Sequence, residues 1–200
     1  MPIFGSADAR LPRVLVATDG REQPAPGPGI GLLLRDLDLP ALVTVASTLA
    51  GVSTLVVDLD SVEGLNADAS AAAVAIRELG IDAVMTRRPA AAARAAELGA
   101  LGLVRVFAFD STGLGRTLET HPAAPGVGTA VSPGPVLGHL SPDDLVRLPR
   151  PLLAYGLIAS AALGHVLLER ADAVVVASDA AAALRSALDE ESMVGGVAES

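Results

Sequence analysis

Short runs of branched apolar residues recur along this chain at a nearly constant interval. They are Arg13–Ala17, Leu32–Leu34, Leu55–Val57, Ala83–Met85, Val104–Phe109, Val127–Val131, Leu152–Tyr155 and Ala173–Ala177. From the third onward the starts at 55, 83, 104, 127, 152 and 173 are separated by 28, 21, 23, 25 and 21 residues. That interval holds one strand, one loop and one returning helix, so the pattern predicts a parallel sheet with helical crossovers. Helix signals fill the gaps: Ala69–Leu79 stops at Gly80, Ala90–Leu98 stops at Gly99, and Ala180–Leu188 follows the capping pair Ser178-Asp179. Ser141 before Pro142 reads as an N-cap followed by a proline at the first helical position. Eight such units predict a small (β/α)8 barrel of the TIM type, with an open doubly wound sheet as the alternative. Gly20–Gly31, with four Gly and three Pro among twelve residues, predicts an irregular or missing first helix. Residues 1–188 are expected to form one barrel domain, and 189–200 an acidic, Gly-containing flexible tail.

A mean hydropathy of +0.51 would also suit a membrane protein. The two longest apolar runs, Leu42–Val57 and Leu152–Leu168, are shorter than the ~20 residues a spanning helix requires and are interrupted by polar groups. Buried parallel strands and Ala-rich helices account for the value instead. The N-terminus carries no basic region followed by an apolar stretch, so no signal peptide is expected, and a chain without Cys fits the cytoplasm.

In barrels of this kind the working residues lie where strands run into the following loops. Asp58 and Asp60 follow the third run and share strand parity, which predicts that both face the barrel mouth. Arg87 and Arg88 follow the fourth, and one of the pair is expected to touch a ligand; Asp110 ends the fifth. Gly156 and Ser178 close the seventh and eighth, where backbone N–H groups and a helix N-terminus hold phosphate in such barrels. Asp179 reads as a cap. The carboxylates Asp58, Asp60 and Asp110 admit three roles: Mg²⁺ ligands, acid/base groups of an enzyme acting on a small phosphate or carboxylate, or a structural ion-pair cluster. The histidines, at 121, 139 and 165, match no metal spacing and read as surface or packing residues. No cofactor motif is present, and a chain without Lys or Cys excludes Schiff-base and thiolate chemistry.

These stretches together resemble the glycerol-3-phosphate-responsive antiterminators, small cytoplasmic regulators with a TIM-barrel fold. The resemblance runs from about Gly29 to Asp179 and rests on the order of Leu55–Leu65, Ile81–Arg87, Val104–Ser111, Ser132-Pro133-Gly134, Tyr155–Ile158 and Val174–Ser178. It implies a non-catalytic protein that binds glycerol 3-phosphate and, when loaded, the leader mRNA of glycerol-use genes. It implies a ligand pocket of Asp60, Arg87, Asp110, Ser111, Gly134, Gly156 and Ser178, to which the reading above adds Asp58. Three positions depart from the family pattern. Tyr155 stands where a glycine is usual, so a ring is expected to close or reshape the phosphate cradle. Ala159 replaces an Arg, and Asp179 adds a negative charge where a phosphate would sit. Fourteen Arg against 23 acidic residues leave a net charge of −9, which opposes binding to an RNA backbone. A barrel without ligand, kept for a protein–protein role, is the remaining alternative.

Overall fold

The computed structural model describes residues 11–20, 29–108 and 124–195. Eight strands follow in chain order: β1 (Val14–Thr18), β2 (Ile30–Leu34), β3 (Leu55–Asp58), β4 (Ala83–Thr86), β5 (Leu101–Phe107), β6 (Val127–Ser132), β7 (Leu152–Ala154) and β8 (Ala173–Val176). Each pairs in parallel with the next, and Val14 of β1 lies opposite Val174 of β8, which closes the barrel. The closed TIM-type barrel therefore holds and the open sheet does not; closure leaves no strand edge to pair elsewhere.

The helices are α1 (Leu39–Leu49), α2 (Ala69–Arg77), α3 (Pro89–Glu97), α4 (Pro142–Arg147), α5 (Ala161–Leu167) and α6 (Ser178–Gly195). Side chains of Asp38, Asp68, Ser141 and Ser160 accept first-turn backbone N–H groups at four of their starts, which fixes where the loops become helix. No helix occurs among the described residues between β1 and β2, and residues 21–28 of the expected irregular segment lie outside them. Ile30 and Gly31, read from sequence as loop, belong to β2: Gly31 pairs with Leu15, and a Cβ on it would stand 2.6 Å from the Pro12 ring. The last helix begins at Ser178 rather than Ala180 and runs to Gly195, past the boundary expected at Leu188. Asp179 is consequently not an N-cap but a first-turn residue, where its negative charge offsets the helix dipole.

Two apolar shells hold the barrel. Leu15, Leu33, Val56, Met85, Leu103 and Leu153 point inward and fill its centre. The alternate strand residues point outward against the helices. Burying a side chain of Leu size contributes ~1.5–3 kcal/mol, so the inner shell alone is a large stabilising term. Alanine lets the helices lie close to the strands: α3 buries Ala91, Ala92 and Ala95, and a Cβ on Gly102 of β5 would collide with the Ala92 carbonyl.

At the base, two seams carry the same fastening. Asp82, just before β4, donates its N–H to the Leu55 carbonyl (3.0 Å) and accepts the Leu55 N–H on its carboxylate (2.9 Å). Asp172, just before β8, does the same with Leu152, at 2.9 and 2.7 Å. Burial raises the Asp82 pKa, against the lowering effect of the Leu55 N–H. Among the described residues no helix is long and apolar enough to cross a membrane.

Candidate functional site

The C-terminal mouth carries a buried ion-pair network at the ends of β3, β4 and β5. Asp58, the last residue of β3, is 1% exposed and accepts a 2.6 Å hydrogen bond from Arg105 Nη1. Beyond Asp58 the chain leaves the strand for a 3-10 turn, Leu59–Ser61, so strand parity no longer applies to Asp60. Asp60 faces the same cation all the same, because the Asp58 carboxylate holds the Asp60 N–H (3.2 Å) and fixes the turn. Its Oδ2 lies 3.6 Å from Arg105 Nη2 and accepts the Arg87 backbone N–H at 2.6 Å. Arg87 Nε stands 3.4 Å from the same oxygen, and the Thr86 hydroxyl donates to Asp60 Oδ1 at 3.3 Å.

Three of the expected residues, Asp58, Asp60 and Arg87, thus converge, and their hub is a residue that the sequence reading passed over. Arg105 lies on β5 at the parity of Leu101 and Leu103, inside the barrel, with its guanidinium 5.0 Å from the Phe107 ring centre. Its signal was a lone cation inside an apolar strand, which demands a buried carboxylate partner. Burial pushes the Asp58 pKa up; Arg105 opposes that rise and Asp60 adds to it. Arg87 keeps most of its side chain in solvent, 61% exposed, so its guanidinium can turn to an incoming anion.

The other expected group lies around the ends of β6, β7 and β8. The Gly134 N–H donates to the Tyr155 carbonyl (2.8 Å) and shares itself with the Gly156 carbonyl (3.1 Å), which ties the two loops together. That N–H is therefore engaged by protein, and Gly134 acts on the cradle's shape. A Cβ on Gly134 would stand 2.6 Å from the Ile158 side chain, while Gly156 has φ +76°, a conformation natural to glycine. Ser178 opens α6. Tyr155 does not place its ring in the cradle: the side chain turns inward, 5% exposed, among the residues filling the barrel. Burial pushes its phenol up to about 12, with Arg105 pulling the other way. The Ser132 hydroxyl also lowers it without reaching hydrogen-bond geometry, and the Tyr155 hydroxyl has no partner among the described residues. Asp110, Ser111 and His121 lie outside the described residues.

A separate cavity of 410 Å³ opens between the ends of β1 and β2, lined by Asp19, Asp36, Asp38 and Glu63. Four carboxylates make it a poor host for a phosphate. His139 ends a 3-10 turn and His165 lies 3.2 Å from Glu191; among the described residues no three His, Asp or Glu gather as a metal site.

A closed eight-stranded parallel barrel with a buried ion-pair network at its C-terminal mouth defines a TIM-type barrel, a fold whose sites characteristically lie at that end. More narrowly, the chain belongs to the glycerol-3-phosphate responsive antiterminator family, whose model matches residues 32–181. Among solved structures it is similar to a glycerol uptake operon antiterminator-related protein of Thermotoga maritima (23% identity, TM-score 0.64, covering 82% of this chain and 94% of that one). It is also similar to a glycerol uptake operon antiterminator regulatory protein of Listeria monocytogenes (18%, 0.67, 88% and 94%). A deoxyribose phosphate aldolase of Aeropyrum pernix shares the fold at 16% identity (TM-score 0.57, 91% and 92%). No curated protein matches the chain by sequence.

Proposed function

We propose that this protein is a non-catalytic cytoplasmic regulator that binds a small phosphorylated metabolite, glycerol 3-phosphate or a near relative, at the C-terminal mouth. The observation that carries the reading is the division of the mouth into two chemically distinct halves. One half offers the Gly156 backbone and the helix start at Ser178, in a turn shaped by Gly134, suited to a phosphate. The other offers Arg87 and Arg105 set by Asp58 and Asp60, suited to the remainder of the ligand. Asp110 and Ser111 are assigned to the same pocket through their place in the sequence.

Leader mRNA is the weaker half of the proposal. A net charge of −9 repels a polyanion, and the arginines of the mouth already face carboxylates. Two assays test the reading. Thermal-shift titration with glycerol 3-phosphate should show a saturable rise, because a ligand bound only by the folded state stabilises it. A flat response would favour the ligand-free, protein-binding alternative. Filter binding to a leader RNA at low salt, with and without the metabolite, tests the second half; no retention in either state removes RNA as a partner.

A further inference from the structure

The barrel mouth holds two buried polar atoms that no described residue satisfies: Tyr155 Oη and Arg105 Nε. A buried donor left without an acceptor costs free energy, so native interiors rarely keep one unless something else completes it. Both belong to inward-facing side chains at the top of the barrel, and Arg105 is the charge that Tyr155 senses most strongly. Tyr155 also directly precedes Gly156, so one residue step leads from the interior to the phosphate-facing rim.

We infer that Tyr155 is a specificity-determining residue whose hydroxyl, together with Arg105 Nε, reads an alcohol group on the non-phosphate end of the ligand. The inference rests on the phosphometabolite reading above and adds to it the residue that recognises the alcohol end of the ligand. Arg105 Nε can only donate, so the ligand must present an acceptor, which excludes an ammonium. Three arginines of the mouth are already paired with carboxylates, Arg105 with Asp58, Arg87 with Asp60 and Arg35 with Asp36 at 2.8 Å. A ligand carboxylate would add an uncompensated negative charge beside two carboxylates that are 1% and 4% exposed. A neutral alcohol accepts from Arg105 and exchanges a hydrogen bond with Tyr155 at no charge cost. The phenol, neutral up to about 12, remains a donor across the physiological range.

The test compares wild type with Tyr155→Phe, by calorimetry, against glycerol 3-phosphate, n-propyl phosphate and 3-phosphoglycerate. Wild type should prefer glycerol 3-phosphate to n-propyl phosphate by roughly tenfold or more, the usual effect of a lost buried hydrogen bond. Tyr155→Phe should lose most of that preference while binding n-propyl phosphate as wild type does, and its unliganded melting temperature should be unchanged or higher. Equal affinity of both proteins for glycerol 3-phosphate overturns the role of Tyr155 and leaves the function standing. Wild type binding n-propyl phosphate or 3-phosphoglycerate as tightly as glycerol 3-phosphate overturns the alcohol-reading claim without any variant. Wild type binding none of the three overturns both readings.

Discussion

Removing the guanidinium at the hub of the mouth should strand a carboxylate that has nowhere to go. In Arg105→Met the aliphatic stem is kept, so packing changes little. Asp58, 1% exposed, loses its 2.6 Å partner and, among the described residues, keeps the Asp60 N–H on its carboxylate and the weaker pull of the Arg35 charge. Breaking a buried pair from one side typically costs ~3–5 kcal/mol, a large fraction of the ~5–15 kcal/mol that holds a domain together. For a domain of this size that corresponds to a fall in melting temperature of roughly 6–20 °C. The cost should depend on pH, with a definite sign. Burial already raises the Asp58 pKa above its unfolded value and Arg105 restrains the rise. Without Arg105 the folded pKa climbs further, so the folded state holds a proton that the unfolded state gives up. Stability of the variant is then fullest below the unfolded pKa and is lost as pH rises through the folded one. Urea denaturation should therefore show a smaller deficit against wild type at about pH 5 than at about pH 7.5. Asp58→Asn combined with Arg105→Met should recover most of the loss, because the Asp58 charge is gone and Asp60 keeps the Arg87 N–H, the Arg87 guanidinium and the Thr86 hydroxyl. A deficit equal at both pH values, or undiminished in the double variant, would show that Asp58 is not the destabilised group.

Three further outcomes concern the scaffold. Gly102→Ala pushes a Cβ into the Ala92 carbonyl and should cost ~1–3 kcal/mol or more by calorimetry. Gly138→Ala, which meets nothing within 4 Å, should stay within about 0.5 kcal/mol of wild type. Asp82→Asn keeps an acceptor for the Leu55 N–H but cannot ionise. Because the Asp82 pKa is raised by burial, wild type loses stability as pH rises through that pKa and the variant does not. The gap should move in favour of Asp82→Asn between acid and neutral pH, measured as urea midpoints; a gap constant with pH would refute it.

The strands were legible because a parallel barrel buries both strand faces, so the sequence shows short unbroken apolar runs. The same simplicity concealed α1: Leu42–Val57 reads as one apolar stretch, yet it contains most of a helix, a turn and nearly all of β3. Helix and strand look alike there because the helix has four buried residues among several further apolar ones and little polar contrast. Asp58 and Asp60 were legible as carboxylates at a strand end, although Asp60 reaches the mouth through the 3-10 turn and not through strand parity. Arg105 was not, since a cation in mid-strand gives no sign of its inward direction until β5 is seen to begin at Leu101. Tyr155 was recognised as unusual but assigned to the rim; only the barrel's geometry shows that its side chain enters the interior while its carbonyl serves the rim.

The paired fastenings at the base, Asp82 with Leu55 and Asp172 with Leu152, sit four strands apart, on opposite sides of the ring. Each one specifies register. A slip of one residue at either seam would separate a carboxylate from its N–H and turn inward-facing side chains outward. The stagger of a closed barrel is the sum of the offsets at its seams, so each pinned seam removes one offset that could otherwise vary. On one side of the ring the Asp82 clamp thereby sets Asp58 opposite Met85 of β4, the strand that separates it from Arg105, so part of the alignment at the mouth is inherited from an aspartate at the far end of the barrel.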